Sequence, residues 1–246
     1  MVAGPAARDA IARARRLTGL RVGLHLVLVE GRSVLPAADL PDLVDASGRF
    51  RPGMAWAAAK MSVLPAARRQ LWAEVAAQFA AFRATGLALD HVNAHKHFHL
   101  HPTILDAILA IGRDFGLRAI RIPAEPARVI AAIEPSSPRA LIEPLRLGAA
   151  MMRRKAVRAG VAFPDQVFGL AWSGAMSAAR IAALLERLPS GVSEIYTHPA
   201  TGDAFAGCAP GYRYREEFGA LTDPRVIAAL RAGDLRTGGY GDCLGV

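Results

Sequence analysis

Cysteine is scarce in this sequence of 246 residues, which contains only Cys208 and Cys243. The two cysteines match no metal-ligand spacing, and they are too few to form a disulfide framework in a chain of this length. Aromatic residues make up 7% of the chain and form no grouping that would stack nucleic-acid bases. We therefore expect two free thiols in a reducing compartment and no nucleic-acid partner, although the formal net charge is +9.

Long apolar runs are also missing from the sequence. No stretch approaches the roughly 20 apolar residues that cross a bilayer, and the N-terminus lacks the basic start and apolar core of a signal peptide. These features predict a soluble, cytoplasmic protein. The basic segment MMRRKAVR, residues 151–158, is typical of a solvated helix face, and contact with an anionic membrane surface is the alternative. The sequence does not decide whether the protein forms a homodimer.

Segments of strand character alternate with segments of helix character along the chain. The predicted strands are LRVGLHLVLVEG (20–31), ALDHVNAH (88–95), LRAIRIP (117–123), QVFGLAWSG (166–174) and SEIYTHP (193–199). Helices are predicted over 5–17, 65–85, 102–116, 139–159, 176–188 and 223–231. The alternation predicts a single α/β domain over residues 1–246 with mainly parallel strands, open or closed into a barrel.

The segment DHVNAHKHFHLHP, residues 90–102, contains five of the seven histidines, all at odd positions. In an extended chain these positions share one face, so the segment predicts a strand lined with imidazoles. A straight strand separates such neighbours by ~6.6 Å, which is too far for rings that bind one ion at ~2.1 Å. Either the chain bends after about residue 94 or other elements complete a metal site. His91 and His101 are interpreted as hydrogen-bonded structural residues.

Three histidines lie within or close to the ends of predicted strands, where parallel α/β folds gather their reactive groups. His25 lies inside an apolar strand, where burial of an imidazole is costly unless something binds it. His95 follows the end of another strand and is a candidate metal ligand. Pro199 restricts the backbone of His198, and a well-oriented imidazole suits a general acid or base.

The segments VGLHLVLVEG, DHVNAHKHFHLHP, RAIRIPAEP and YTHPA, in this order, resemble the YdjC/ChbG family of carbohydrate deacetylases, in particular its hopanoid biosynthesis-associated HpnK branch. The resemblance covers essentially the entire chain. It implies a distorted (β/α) barrel-like domain that removes the N-acetyl group of an amino sugar. It also implies a divalent cation, Mg or Zn, held by an Asp and two histidines. Carried over by motif, the two are His25 and His95, and His198 is the implied acid for the departing amine.

The expected substrate is an amino sugar or a glycolipid, such as an N-acetylglucosaminyl hopanoid lipid. Arg121, at the end of RAIRI, is a candidate for orienting the substrate or a carboxylate, and a surface ion pair is the alternative. His97 and His99 are candidates for lining the substrate pocket.

The sequence departs from the family pattern in two places. Family members begin with a strand that ends in Asp-Asp-Phe-Gly, which supplies the metal-binding Asp and a catalytic carboxylate. This sequence begins with MVAGPAA, which resembles the tail of the second family strand. We therefore expect an N-terminal truncation, weak metal binding and poor activity. Asn93 is the second departure: many relatives carry Asp there, and an amide can orient a neighbour but cannot be a base.

Two other classes of function remain open. A non-catalytic, histidine-rich metal-binding protein would use the histidine segment but neither His25 nor His198. Under that hypothesis, substitution of either residue leaves metal uptake unchanged. A nucleic-acid binder would instead show retention on DNA that falls steeply with salt.

Overall fold

The computed structural model describes residues 1–136, 142–232 and 235–246, the side chains of 142–144 excepted. The strands in these ranges are β1 (Val22–Leu26), β2 (Leu89–Ala94), β3 (Gln166–Phe168) and β4 (Ser193–Ile195). The α-helices are α1 (Ala7–Ala14), α2 (Met54–Val63), α3 (Pro65–Ala84), α4 (Pro102–Asp114), α5 (Ala127–Ile133), α6 (Ile142–Arg158), α7 (Ala178–Leu185), α8 (Tyr214–Ala220), α9 (Pro224–Ala232) and α10 (Tyr240–Leu244).

The chain divides into two compact units. The first consists of Met1–Arg121, Ala150–Phe163 and Gly238–Val246, and the second of Ile122–Ala149 and Pro164–Thr237. Each unit has its own pair of parallel strands. The α/β class and the parallel pairing therefore agree with the sequence patterns, whereas barrel-like closure and a single domain over 1–246 stay predictions.

In the first unit β1 and β2 pair in parallel, and the register places His25 opposite Asn93. Two isolated parallel bridges, Val92 with Ile120 and Ala119 with Ala162, continue the pairing beyond β2. The fully buried side chains of α3 and α4 form the core of this unit together with β1. Parallel strands covered by helices are the expected solution for apolar segments such as β1.

In the second unit the three-residue strands β3 and β4 pair in parallel. The side chain of Phe168 is fully buried at the end of β3. The buried residues packed with it are Ile130, Trp172, Met176, Ile181, Leu184, Ala220 and Val226. These residues come from α5, α7, α8, α9 and the loop after β3, so one apolar cluster holds most elements of the unit together.

The predicted helices over 65–85 and 102–116 are confirmed by α3 and α4, each of which begins at a proline in its first turn. The prediction over 139–159 is confirmed for residues 142–158, and residues 139–141 lie outside the described ranges. The patterns do not predict α2, α5 or α8. All three are ten residues or fewer, and short helices depend on tertiary packing more than on propensity.

The first predicted strand, over 20–31, is shorter in the structure. Beyond its end, a side chain takes the place of a neighbouring strand as the hydrogen-bond partner of the backbone. β1 ends at Leu26. The N–H of Val27 donates to Gln78 Oε1 at 3.0 Å, and Gln78 Nε2 donates to the carbonyl oxygen of Val27 at 2.7 Å. The backbone groups of Val27 are thus satisfied by α3 and need no strand partner.

The predicted strand over 166–174 is shortened for the same kind of reason. After Phe168, the next three backbone N–H groups donate to the carboxylate of Glu125 at 2.8, 3.0 and 2.8 Å. Burial raises the pKa of Glu125, and these three hydrogen bonds oppose the rise. Gly169 also has φ 122, a conformation that favours glycine and turns the chain away from a strand.

Surface features agree with several predictions. The basic segment 151–158 lies in α6, where Lys155 Nζ pairs with Asp106 Oδ1 at 2.5 Å. Cys208 and Cys243 are free thiols. Among the described helices, none has the length and apolar character that spanning a membrane requires.

Candidate functional site

The histidine segment is a strand only as far as Ala94, as the bending alternative requires. Residues 95–100 then form a 3-10 turn in which Lys96 and His97 have φ values of 53 and 54. This left-handed conformation is uncommon for residues other than glycine. It ends the alternation of faces, so the imidazoles of the segment contact different partners instead of lining one surface.

His95 directly follows the end of β2 and lies beside His25. The centroids of the two rings are 5.8 Å apart, and the ring planes are inclined by 74°. His25 Nδ1 lies 2.6 Å from Oδ1 of Asn93, the residue opposite it in the β1–β2 pair. An amide oxygen only accepts, so His25 carries its proton on Nδ1 and has an unprotonated Nε2.

Burial lowers the pKa of His25 to about 3, and the hydrogen bond with Asn93 only partly opposes this effect. The N-terminal amine, His95 and Arg121 disfavour the imidazolium further, because each adds positive charge nearby. His25 is therefore neutral at physiological pH. A neutral imidazole with one nitrogen hydrogen-bonded and the other unprotonated is the usual state of a metal ligand.

Asn93 also contacts a residue on its own strand, which in turn contacts a carboxylate. Asn93 Nδ2 lies 3.3 Å from His91 Nε2, and His91 Nδ1 lies 2.9 Å from Asp90 Oδ2. The His91 ring stacks on Tyr240 with 4.1 Å between centroids. The hydrogen-bonded role expected for His91 is thus observed. The sequence patterns do not assign Asp90 or Tyr240 to the site, and no local spacing signals them.

The three residues expected to contact substrate lie in the first unit with the histidine pair. His99 is fully buried, and its Nε2 donates to the carbonyl oxygen of Arg121 at 2.9 Å. Burial lowers the pKa of His99 to about 4. Arg121 is 9% exposed, and the His97 ring centroid is 6.1 Å from that of His99. His99 thus anchors the turn to the chain at Arg121, and the substrate-binding roles stay predictions.

His198 lies in the second unit, where its neighbours are a buried carboxylate and two tyrosines. The backbone N–H of His198 donates to Glu217 Oε2, and its Nδ1 is 3.9 Å from the same oxygen. Glu217 is fully buried and also accepts from the Met176 N–H at 2.9 Å. The Tyr196 and Tyr212 rings lie 5.5 and 5.0 Å from that of His198. Sequence reasoning misses Glu217, which lies 19 residues beyond His198.

The pair His25 and His95 fits a divalent cation as two ligands of a larger set. The supporting feature is the unprotonated Nε2 of His25, whose ring is oriented by the hydrogen bond with Asn93 and lies beside a second imidazole. Within residues 1–136, 142–232 and 235–246, no group of three His, Cys, Asp or Glu side chains is arranged to hold a metal ion. Among the described side chains, this pair therefore supplies two candidate ligands and no third one.

Parallel strands with paired imidazoles at their ends define an α/β protein with a candidate cation site. The model for the YdjC-like protein family matches residues 1–232. The chain therefore belongs to the YdjC-like family.

Two relatives carry the same descriptive name. A carbohydrate deacetylase of Geobacillus stearothermophilus is 29% identical over 230 residues, which cover 92% of this chain and 77% of that protein. A carbohydrate deacetylase of Mus musculus is 31% identical over 260 residues, which cover 94% and 80%. The chain thus aligns with most of the length of both proteins.

One crystal structure has a similar fold. It is that of a protein from Enterococcus faecalis V583 that is provisionally named for cellobiose-phosphate cleavage. The TM-score is 0.70 over 98% of this chain and 85% of that one, at 22% sequence identity. At this identity the similarity supports the fold alone.

Proposed function

We propose that this protein is a metal-dependent deacetylase that hydrolyses the N-acetyl group of an amino sugar. The observation that carries the proposal is the neutral His25, oriented by Asn93 and placed 5.8 Å from His95 in ring-centroid distance. Relatives named carbohydrate deacetylases align with nearly the entire chain. They supply the substrate class, and the histidine pair supplies the site for the cation.

The reaction is the hydrolysis of an amide. Water adds to the acetyl carbonyl carbon, the C–N bond breaks, and acetate and a free amine are released. A divalent cation at His25 and His95 would polarise the acetyl carbonyl and lower the pKa of water. In this proposal a base takes the proton of the attacking water, and His198 donates a proton to the amine nitrogen as the C–N bond breaks. Glu217 holds the backbone of His198, and its Oε2 lies 3.9 Å from Nδ1 of the His198 ring.

We further propose an N-acetylglucosaminyl hopanoid lipid as the substrate, on the basis of the four sequence motifs. Arg121 and His97 are the proposed substrate-orienting residues. Both lie in the same unit as the histidine pair, and Arg121 is close enough to His25 to disfavour its protonation.

The remaining ligand of the cation is proposed to be a carboxylate, of the kind that the Asp-Asp-Phe-Gly strand supplies in the family. Two imidazoles alone bind a divalent ion weakly, so tight binding of the proposed cation requires this third ligand.

The function is tested by calorimetric titration with Zn²⁺ and with Mg²⁺ and by acetate release from an N-acetylglucosaminyl lipid. His25→Ala and His95→Ala are expected to abolish binding and acetate release. His101→Ala is the matched control, because His101 belongs to the same segment but its Nε2 contacts Ser62 Oγ at 3.0 Å. His198→Ala is expected to reduce acetate release and to leave the metal affinity unchanged.

The same variants distinguish the alternative of a non-catalytic metal-binding protein. A non-catalytic metal-binding protein is expected to take up metal without releasing acetate. His25→Ala is then expected to take up as much metal as the wild type. The observed contacts favour the deacetylase, because His91, His99 and His101 are each engaged by a different group of the fold. A tract that stores metal ions would keep its imidazoles available.

A further inference from the structure

A continuous series of hydrogen bonds links a carboxylate to His25 in the first unit. Asp90 Oδ2 lies 2.9 Å from His91 Nδ1, and His91 Nε2 lies 3.3 Å from Asn93 Nδ2. Asn93 Oδ1 then lies 2.6 Å from His25 Nδ1. The series joins three residues of β2 to His25 of β1, all in one compact unit.

The series has two self-consistent directions, because a neutral imidazole and an amide each offer one donor and one acceptor. If His91 donates from Nδ1, its Nε2 accepts from Asn93, and the amide oxygen then accepts from His25 Nδ1. If the direction reverses, the Asn93 amide donates to His25 Nδ1 and the proton of His25 moves to Nε2. Only the first direction provides an Nε2 lone pair on His25.

With His91 neutral, Asp90 selects the first direction, because an ionised carboxylate only accepts and Nδ1 of His91 must then carry the proton. Besides the hydrogen bond from His91, it accepts from the backbone N–H groups of Tyr240 at 3.0 Å and Gly241 at 3.1 Å. Burial opposes ionisation, but these hydrogen bonds hold the pKa of Asp90 below its ordinary value. The carboxylate is thus ionised at neutral pH and fixed in position by the C-terminal segment.

The ring of His91 is held on two sides, so it cannot turn to break the series. Tyr240 stacks on it with an interplanar angle of 16°. On β1, a Cβ added at Gly23 would lie 2.5 Å from His91 Cε1 and Nε2. Only a glycine at this position leaves room for the ring.

We propose that Asp90 is a positioning residue that determines which nitrogen of His25 carries the proton. It acts through His91 and Asn93, and it leaves Nε2 of His25 unprotonated for a divalent cation. The inference rests on the proposed role of His25 as a metal ligand. It assigns a function to Asp90 and to the C-terminal segment that anchors it.

The test uses the complete 246-residue chain with ¹⁵N-labelled histidine. Long-range ¹H–¹⁵N correlation spectra of the metal-free protein report which nitrogen of His25 is protonated. Calorimetry with Zn²⁺ alone reports affinity. Asp90→Asn replaces the obligate acceptor with a group that can also donate. His91→Phe keeps a ring against Tyr240 but removes both hydrogen bonds, so it serves if Asp90→Asn fails to fold.

The expected wild-type spectrum shows His25 protonated on Nδ1 alone. In Asp90→Asn and His91→Phe we expect a mixture of tautomers and a 10–100-fold loss of Zn²⁺ affinity, which is typical when the hydrogen-bond partner of a ligand is removed. Asp242→Asn is the matched control. Asp242 belongs to the same C-terminal segment and binds Arg21 at 2.7 Å, but it has no part in the series, so this variant should keep the wild-type tautomer.

The proposal is overturned if His25 remains protonated on Nδ1 alone in Asp90→Asn and His91→Phe, or if their Zn²⁺ affinity equals that of the wild type. A tautomer change in Asp242→Asn as large as in Asp90→Asn would also overturn it, because loosening of the C-terminal segment would then be sufficient. Failure of the wild-type chain to bind Zn²⁺ would instead count against the proposed function. The tautomer of His25 would still test the role of Asp90.

Discussion

The replacement Glu217→Gln tests whether a buried carboxylate holds His198 in place. Glu217 is fully buried, and its two oxygens accept separately from the backbone N–H groups of Met176 and His198. A glutamine has almost the same shape but only one acceptor oxygen. Either orientation of the amide therefore leaves one backbone N–H facing an NH₂ group.

The magnitude follows from these two contacts. A hydrogen bond to a charged group contributes about 1.5–3 kcal/mol, and a buried N–H without an acceptor costs about 1–3 kcal/mol. We therefore expect Glu217→Gln to lower the free energy of unfolding by about 3 kcal/mol. This is a large share of the roughly 5–15 kcal/mol that stabilises a typical domain.

The assay is urea unfolding followed by circular dichroism, with acetate release as the second readout. Glu216→Gln is the matched control on the same helix. The Glu216 side chain is 40% exposed and pairs with Arg213 at 2.9 Å, so its loss should change stability by less than about 1 kcal/mol. A Glu217→Gln protein within about 0.5 kcal/mol of the wild type would refute the anchoring role. Acetate release at the wild-type rate in Glu217→Gln would refute the importance of Glu217 for the function of His198.

Three further predictions concern other buried contacts. Gly174→Ala should destabilise the protein by more than about 2 kcal/mol, because φ is +76 and the added Cβ would lie 2.3 Å from Tyr212 Cγ. Gly160→Ala, at φ +67 with no atom within 4 Å, should cost only about 1 kcal/mol in the same urea titration. The lowered pKa of His99, about 4, means that the unfolded chain binds one more proton between pH 6.5 and 4. Stability should therefore fall as the pH drops through this window, by about 1.4 kcal/mol per pH unit for this group, and urea titrations of His99→Gln at several pH values should lack that contribution. Glu125→Gln leaves at least one of the three N–H groups after β3 without an acceptor, so amide hydrogen exchange there should become faster. Unchanged exchange would contradict the anchoring by Glu125.

Features that depend on neighbouring residues could be predicted well. The helix α3 follows from Pro65 at its start and from Gly86 just beyond its end, where φ is +71. The bend after Ala94 is one of the two alternatives that local geometry leaves open, because a straight strand cannot direct successive imidazoles to one ion. The family follows from four motifs in order, and the family model confirms it over residues 1–232.

Features that depend on distant residues could not be predicted. The end of β1 depends on Gln78, which is 51 residues from Val27, and Asp90 contacts Tyr240 across 150 residues. Nothing in the local pattern of DHVNAH indicates that its aspartate meets the C-terminal segment. The same limitation applies to Glu217, because contacts between a helix and a strand end are properties of the packed chain.

The sequence by itself determined the α/β class, the main helices, the histidine segment and the family, since periodicity, prolines, glycines and motif order are all local properties of the chain. Only the tertiary structure decided which histidines meet and which carboxylates lie beside them. The physical reason is that hydrogen-bond direction and burial depend on atoms brought together by folding. In a partly buried series of hydrogen bonds, a group that only accepts limits the direction of the hydrogen bonds that follow it.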